Sequence, residues 1–312
     1  MSLTVLVTGA DGFVGRRLLA ALAEQRPDWA VVAAGGPQGP GGLDVVDPQA
    51  VATMVERARP DTVVHLAAVA AVTDSVRDPR HAWRVNLEGV LNLVLALQVQ
   101  KPRPHLLFVS SAEVYGQSLD RAEPVDEQAL LQPVNPYAAS KAAADILVRQ
   151  AAASGLSATV ARPFNHTGAG QSEAFVAPNF AAQVARIEQG LQPPVISVGS
   201  LDDERDFLHV DDVVGAYLLM LDHRKDLSEG EVLNVASGAP VRIGDILERL
   251  LSLSRVKIEV KVDPERLRPS GVKRMVGDAS RLRALGWAPR VALADTLSAV
   301  LEDKRRTVKA LK

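Results

Sequence analysis

A short β-branched run near the N-terminus leads directly into a glycine-rich turn and then into a helical segment. The run TVLVTG ends at Gly9, the turn GADGFVG spans residues 9–15, and RRLLAALAEQ follows with apolar side chains at helical spacing. Glycines in such a turn permit a tight bend and a close backbone approach to a pyrophosphate, and the amides of the following helix can bind the anion. The sequence therefore predicts a dinucleotide site at its start.

Strand-like and helix-like segments alternate along most of the chain. The strand-like runs are TVLVTG, WAVVAAG, DTVVHLAA, HLLFVSS, LSATVARP and, at 231–238, EVLNVASG. The predicted helices between them span 16–25, 48–58, 81–99 and 136–154. This order predicts an α/β fold, a Rossmann-type doubly wound parallel sheet in which EVLNVASG is the last strand.

Composition divides the chain into two units. Segment 163–206 is richer in Pro, Gly and polar residues, and 239–312 mixes short helices with the run VKIEVKV. We expect a dinucleotide-binding domain of residues 1–162 plus about 207–238. The remaining segments, 163–206 and about 239–312, are expected to form a smaller C-terminal α/β substrate lobe.

Composition also excludes several classes of protein. The chain has 312 residues, 47% of them hydrophobic, and no cysteine, which excludes disulfides, thiolate metal sites and cysteine nucleophiles. Its net charge of -2 gives no electrostatic footprint for nucleic acid. There is no apolar run of about eighteen residues and no signal-peptide pattern, and no His or carboxylate pair has a metal-ligand spacing. We expect a cytoplasmic protein that is without a metal or membrane span and acts on a small molecule.

Tyr137 and Lys141 are four residues apart in the predicted helix NPYAASKAAADILVRQ. This spacing puts the phenol and the ammonium on one face. A fixed cation favours the phenolate, so we expect Lys141 to bring the pKa of Tyr137 down from its usual value of about 10. The pair would then transfer a proton; the alternative is a solvated helix face with a packed tyrosine.

Three motifs together resemble the extended short-chain dehydrogenase/reductases. Gly9-x-x-Gly12-x-x-Gly15 resembles their glycine fingerprint, Tyr137-x-x-x-Lys141 their catalytic pair, and LLFVSSAEVYG the strand end that carries their third catalytic position, here Ser111. The resemblance implies that Ser111 binds the substrate oxygen, Tyr137 exchanges its proton and Lys141 binds the nicotinamide ribose. Glu113 would position the sugar hydroxyls.

The same resemblance implies a nicotinamide cofactor, NADP(H) or NAD(H). The second strand ends in Ala33-Ala34-Gly35-Gly36, so neither a carboxylate nor an arginine there selects between them. Arg16 and Arg17 follow the turn and could reach a phosphate of the cofactor, but we favour their interpretation as solvated helix residues. Asp44 resembles the aspartate that contacts the adenine, with Asp47 the stronger candidate for a helix cap. The implied cofactor contacts are Gly9, Asp11, Gly12, Phe13, Val14, Gly15, Asp44, Val45, Leu66, Ala67, Ala68, Tyr137, Lys141 and His166.

The downstream half narrows the resemblance. ARPFNHTGAGQ at 161–171 and RDFLHVDDVVGAY at 205–217 resemble nucleotide-sugar epimerases, dehydratases and reductases. RPFNHTG and the segment 263–289 are similar to the GDP-4-keto-6-deoxy-D-mannose reductases and their relatives the GDP-mannose 4,6-dehydratases. The resemblance implies that Asn165, Arg205 and Arg268 bind the diphosphate, since guanidinium groups suit phosphate oxygens. A salt bridge to Asp202, Asp203 or Glu204 is the alternative for Arg205.

Departures from the family patterns favour a reductase. Ala112 replaces the aspartate that serves as the acid in dTDP-glucose dehydratases, and TGAGQ at 167–171 is close to the reductase pattern. Gly271 replaces an acidic residue that binds the nucleotide ribose in relatives. The sequence therefore does not establish that the base of the substrate nucleotide is guanine.

We therefore expect the chain to reduce the 4-keto group of GDP-4-keto-6-deoxy-D-mannose to GDP-D-rhamnose. The alternatives are a sugar-nucleotide 4-epimerase that retains NAD, a GDP-mannose 4,6-dehydratase and a non-catalytic cofactor-binding regulator. By analogy we also expect a homodimer or higher homo-oligomer, paired through the helices near 81–99 and 136–154.

Overall fold

The computed structural model describes residues 3–39, 41–264 and 272–310. Its first half contains β1 (Thr4–Thr8), α1 (Phe13–Gln25), β2 (Ala30–Ala34), α2 (Pro48–Ala58), β3 (Thr62–His65), α3 (Val72–Arg77), α4 (Pro79–Trp83), a π-helical turn (Arg84–Glu88), α5 (Gly89–Gln98), β4 (His105–Val109), a 3-10 segment (Ala112–Leu119) and α6 (Pro136–Ala153). Its second half contains β5 (Ala158–Pro163), β6 (Asn165–Thr167), α7 (Val176–Glu188), β7 (Val195–Val198), β8 (Glu204–His209), α8 (Val210–Asp222), β9 (Glu231–Val235), β10 (Pro240–Arg242), α9 (Ile243–Ser252), β11 (Glu259–Val262), β12 (Arg274–Met275), α10 (Ser280–Ala284) and α11 (Leu293–Lys309).

Six parallel strands form the main sheet in the order β2-β1-β3-β4-β5-β9. The predicted parallel sheet is confirmed, and EVLNVASG does provide its last strand. The chain crosses from one side of β1 to the other between β2 and β3. At such a switch point the carboxyl ends of neighbouring strands border a crevice, which is where open α/β sheets bind ligands.

Two hydrophobic cores cover the faces of this sheet. On one face Leu18 and Leu22 of α1 pack with Val213 and Tyr217 of α8. The other core joins α2, α5 and α6 to the opposite side chains of the same strands, with Val148 of α6 among them. Strands buried on both sides need continuous apolar runs, and this explains VLV in β1 and VV in β3.

The remaining strands form smaller sheets beside the carboxyl edge. β8 pairs with β10, β12 and β6, and β11 pairs with β7. Helices α7, α9 and α11 share a third core with β7. β8 crosses the boundary that the sequence suggested near residue 206, and the division into two domains stays a prediction. None of the described helices is both long and apolar enough to span a membrane.

The helix expected over 81–99 differs from the observed one. It is divided into α4, the π-helical turn and α5. Asn86 lies in the turn with 1% exposure and accepts a hydrogen bond from the Val69 amide at 2.8 Å. Its side-chain amide also donates to the Ser140 hydroxyl at 3.0 Å. The π-helical turn thus directs a polar side chain inward to contacts with a loop and with α6.

A buried ion pair joins α6 to β5. The Arg162 guanidinium donates to both Asp145 carboxylate oxygens, at 2.9 and 2.8 Å, and the two side chains are 1% and 0% exposed. Arg162 also donates to the Tyr115 hydroxyl at 3.0 Å, which donates to Asn234 Oδ1 at 2.7 Å. The side-chain amide of Asn234 donates in turn to the Val125 carbonyl at 3.0 Å. The network therefore links the main sheet to the segment before α6.

Replacing Arg162 with methionine leaves the Asp145 carboxylate buried without this partner. We expect Arg162→Met to lower the free energy of unfolding by about 3–5 kcal/mol, the usual effect of breaking a buried pair. Arg149→Met is the matched control, because Arg149 contacts the same carboxylate at 3.0 Å but is 40% exposed. Its loss should be about 0–1 kcal/mol. Urea unfolding followed by circular dichroism measures both, and equal losses would contradict a special role for the buried pair.

Candidate active site

The proposed catalytic side chains lie where β4 ends and α6 begins. Ser111 has an extended backbone and caps the 3-10 segment, with Oγ accepting a hydrogen bond from the Glu113 amide at 3.2 Å. α6 begins after Asn135, whose Oδ1 accepts from the Ala138 amide at 2.8 Å, and has proline at its first position. This cap places Tyr137 in the first turn of α6.

Glu113 connects the two elements. Its Oε2 accepts a hydrogen bond from the Asn135 side-chain amide at 3.2 Å. The same asparagine therefore caps α6 and holds the carboxylate that follows β4. Ser111, Glu113 and Tyr137, which are separated by up to 26 positions in the sequence, are brought together at the carboxyl edge of the sheet.

Burial dominates the ionisation of Tyr137. It raises the pKa of the phenol to about 12, the neighbouring Ser111 hydroxyl lowers this pKa, and the Glu113 carboxylate raises it. The expectation that Lys141 brings the phenol below its usual pKa is therefore wrong for this structure, because desolvation of the phenolate is the larger effect. Tyr137 stays protonated across the neutral range, so it can donate a proton.

Lys141 is buried one turn further along α6. Its ammonium donates to the Val109 carbonyl at 2.5 Å and lies 4.6 Å from the ring centroid of Phe108. Burial lowers its pKa to about 7, whereas the Asp145 carboxylate raises it. The amino group is thus held at the carboxyl end of β4 by a carbonyl and an aromatic face.

The glycine turn has the tight geometry that is typical of a pyrophosphate site. Gly9 has φ +68°, and a Cβ there would lie 2.7 Å from the Ala67 nitrogen. A Cβ on Gly15 would collide with the Gly9 carbonyl. No side chain caps α1, and its first turn has no acidic residue, so the amides of Phe13 and Val14 suit an anion. These features fit the predicted dinucleotide.

The other predicted cofactor contacts differ in how they are placed. Residues 66–68 follow β3 beside the glycine turn, with the Leu66 amide donating to the Thr8 carbonyl at 3.1 Å. Asp44 is exposed and accepts from the Val46 amide at 3.0 Å. Val45 has its side chain in the core beneath Gly89, so it has only backbone to offer a nucleotide. Asp47 caps α2 as predicted.

Asn165 and His166 form the short strand β6 beside the glycine turn. The His166 ring lies parallel to the Phe13 ring, with centroids 6.5 Å apart, and its Nδ1 donates to the Phe164 carbonyl at 3.0 Å. Burial lowers the pKa of His166, which leaves a neutral imidazole. Asn165 Oδ1 is buried without a hydrogen-bond partner among the described residues, so its capacity to accept a hydrogen bond is unused.

The guanidinium of Arg205 is oriented by contacts with nearby residues of the chain. Its guanidinium donates to the carbonyls of Glu204 and Lys273 at 2.8 and 3.1 Å and pairs with Asp203 at 3.4 Å. The salt bridge considered as the alternative is therefore present, and the diphosphate contact stays a prediction. Arg268 and Gly271 lie outside the described residues.

Sequence reasoning missed His65, at the carboxyl end of β3. Its Nδ1 hydrogen-bonds with the Thr8 hydroxyl at 2.8 Å, and the ring is 1% exposed. Burial first, and then the nearby Lys141, lower its pKa to about 3. The sequence does contain a sign of this position, because a histidine interrupts the otherwise apolar strand run DTVVHLAA. No group of three His, Cys, Asp or Glu side chains within the described ranges could hold a metal ion, and the metal-free site stays a prediction.

Comparisons with known proteins agree along nearly the whole chain. The NAD dependent epimerase/dehydratase family model matches residues 5–236. The chain is 39% identical to the GDP-6-deoxy-D-mannose reductase of Pseudomonas aeruginosa over 305 residues, 97% of each chain. The structure of RMD from Pseudomonas aeruginosa complexed with NADPH has a TM-score of 0.87 and 37% identity, over 98% of this chain and 100% of that one. The Thermus thermophilus UDP-glucose 4-epimerase complex with NAD has a TM-score of 0.84 and 28% identity, over 96% and 98%.

Burial of Lys141 generates a stability prediction for the protein freed of nucleotide. Its pKa is about 7 in the fold and about 10.5 in the unfolded chain, so between these values the unfolded chain binds more protons and stability rises with pH. Lys141→Met removes this slope, about 1.4 kcal/mol per pH unit. We expect the mutant's advantage in free energy of unfolding to be largest below pH 7 and to shrink towards pH 10. A difference independent of pH, by chemical denaturation, would contradict the prediction.

Proposed function

We propose a reaction for this chain, which belongs to the NAD dependent epimerase/dehydratase family. It is an NAD(P)H-dependent oxidoreductase that reduces GDP-4-keto-6-deoxy-D-mannose to GDP-D-rhamnose. The observation that carries this proposal is the 39% identity to the Pseudomonas GDP-6-deoxy-D-mannose reductase over 97% of both chains. Identity that extends through the substrate-side segments is more informative about the reaction than the shared fold alone.

The cofactor would be held along the carboxyl edge of the sheet. Residues 9–15 and the start of α1 would bind the pyrophosphate, Asp44, the Val45 backbone and residues 66–68 would face the adenosine, and His166 would lie near the nicotinamide. Lys141 would bind the nicotinamide ribose. When bound, the reduced nicotinamide supplies a hydride.

The chain's own residues would complete the reduction at C4 of the sugar. As hydride adds to C4, the carbonyl oxygen gains negative charge and takes the proton of the Tyr137 hydroxyl; the phenolate then regains a proton from solvent. The Ser111 hydroxyl would orient the carbonyl and stabilise the developing alkoxide. Burial keeps Tyr137 protonated, which is the form that a reduction needs. Glu113, held by Asn135, would position the sugar hydroxyls.

The diphosphate of the substrate would lie against the paired strands β6 and β8. Asn165 of β6 pairs with Phe207 of β8, and its Oδ1 has no partner among the described residues. Arg205 on β8 would add charge-assisted contacts, together with Arg268. Arg205 already donates to two backbone carbonyls, which would fix the direction of its guanidinium before substrate arrives.

The direct test follows the oxidation of NADPH and NADH with freshly generated GDP-4-keto-6-deoxy-D-mannose. We expect turnover by the native protein and a loss of about 100- to 10,000-fold in kcat for Tyr137→Phe, because the general acid is removed. Tyr217→Phe is the control: this buried tyrosine loses a hydroxyl that has no hydrogen-bond partner among the described residues. Its kcat should be nearly unchanged.

Absence of turnover by the folded native protein would contradict the proposed substrate. Interconversion of a sugar nucleotide at C4 with retained NAD would then support the epimerase. Loss of water from GDP-mannose would support the dehydratase.

We also propose a homodimer formed through α5 and α6. Leu91 and Leu95 lie one turn apart on α5 and are 39% and 53% exposed, and Ile146 on α6 is 53% exposed. Burying this apolar strip against a second copy would give a four-helix bundle. The cytoplasmic location expected from the sequence stays a prediction.

A charge in this strip should separate the subunits. We expect Leu95→Glu to be monomeric in size-exclusion chromatography with light scattering, since a carboxylate would be desolvated in the interface. Val262→Glu, on β11 with 59% exposure, is the control and should stay dimeric. A monomeric native protein, or a Leu95→Glu dimer, would contradict this interface.

A further inference from the structure

The Asp11 side chain reaches from the glycine turn to the end of β2. Both of its carboxylate oxygens lie 3.1 Å from the backbone nitrogen of Gly36, which donates to them. Gly36 is two residues beyond Ala34, the last residue of β2. The contact joins positions 25 apart in the sequence. A carboxylate therefore lies at the end of the second strand although that strand carries none.

The end of the second strand is the place where Rossmann proteins distinguish the two nicotinamide cofactors. A carboxylate there accepts a hydrogen bond from the 2′-hydroxyl of the adenosine ribose and repels a 2′-phosphate. Gly35 and Gly36 have no side chain that could do this. The turn from Gly36 to Gly39 closes over the same carboxylate, since a Cβ on Gly39 would collide with Asp11 Oδ2.

Few charged side chains contact this turn. The loop GGPQGPGG at 35–42 has no charged residue. Arg17 is directed elsewhere, because it donates to the Ala169 carbonyl at 3.1 Å and pairs with Asp211 at 3.7 Å. Arg16 donates to the Asp11 backbone carbonyl and is exposed. Among the described residues, the charged side chains that contact this turn are thus Asp11 itself and Arg16.

We propose that Asp11 binds the 2′-hydroxyl of the adenosine ribose and makes this chain prefer NADH to NADPH. The inference rests on the proposed function, which needs a reduced nicotinamide cofactor but leaves its identity open. It assigns to a residue of the glycine turn the selection that other Rossmann proteins make with a residue of β2. The cofactor in the Pseudomonas RMD structure is NADPH, so the two proteins would differ in this preference.

The expected size of the preference for NADH over NADPH depends on the exposure of the Asp11 side chain to solvent. Asp11 is exposed, so water and salt screen its repulsion of a 2′-phosphate. We expect a ratio of dissociation constants of about tenfold in favour of NADH at about 0.15 M salt, the typical effect of one partly screened charge. The ratio should decrease at about 1 M salt, where the screening length is shorter.

Equilibrium binding tests the proposal without the sugar substrate. Dissociation constants for NADH and NADPH are measured by calorimetry for the native protein, Asp11→Ser, Asp11→Asn and Glu24→Gln. We expect both Asp11 variants to bind NADPH more tightly and NADH less tightly, which would shift the ratio by about tenfold or more. Glu24→Gln removes one negative charge from the exposed far end of α1 and should keep the native ratio. Thermal unfolding identifies any variant that does not fold, and the other Asp11 variant then decides.

Each of the following results would overturn the assignment. The native protein would bind NADPH as tightly as NADH, or more tightly; the Asp11 variants would keep the native ratio; or a preference for NADPH would disappear in Arg16→Ala, which would assign the 2′-phosphate to Arg16. If the protein still reduces the keto sugar in these cases, the proposed role of Asp11 is rejected and the proposed reductase activity is retained. Binding of neither cofactor would overturn both this inference and the proposed reductase.

Discussion

A buried ion pair holds the helix that carries Tyr137 and Lys141. Arg162 on β5 binds both carboxylate oxygens of Asp145, one turn beyond Lys141 on α6, and neither side chain meets solvent. Because β5 leads directly into Asn165 and His166, the pair fixes the proton donor relative to the expected substrate side of the site. Breaking a buried ion pair is costly, so the pair opposes a shift of α6 relative to β5.

The site itself follows from the carboxyl edge of a parallel sheet. The ends of β1, β3, β4 and β5 carry the glycine turn, residues 66–68, Ser111 and Asn165 in turn. Side chains that are far apart in the sequence therefore lie close together, because the ends of neighbouring parallel strands meet at the same edge of the sheet. Burial at this edge makes Tyr137 a stronger candidate for proton donor than for base, and it holds Lys141 against a carbonyl. Such an arrangement suits hydride addition followed by protonation of oxygen.

Local patterns predicted the parts of this structure that depend on neighbours in the chain. The glycine turn, the parallel strands and the Asp47 cap were readable because each is written in a few consecutive residues. Contacts between residues that are distant in the sequence could not be predicted in this way. The raised pKa of Tyr137 depends on burial, and the direction of the Asp11 carboxylate depends on a loop that is distant in the sequence. The π-helical turn was missed because Asn86 reaches a loop and a second helix.

Isotope transfer tests the central claim most directly. The protein would be incubated with GDP-4-keto-6-deoxy-D-mannose and nicotinamide cofactor deuterated at the transferring position, and the product would be examined by NMR. The proposed reduction requires one deuterium at C4 of a GDP-D-rhamnose product and one oxidised cofactor for each product molecule. A sugar nucleotide altered at C4 without deuterium, or with no net oxidation of cofactor, would contradict it.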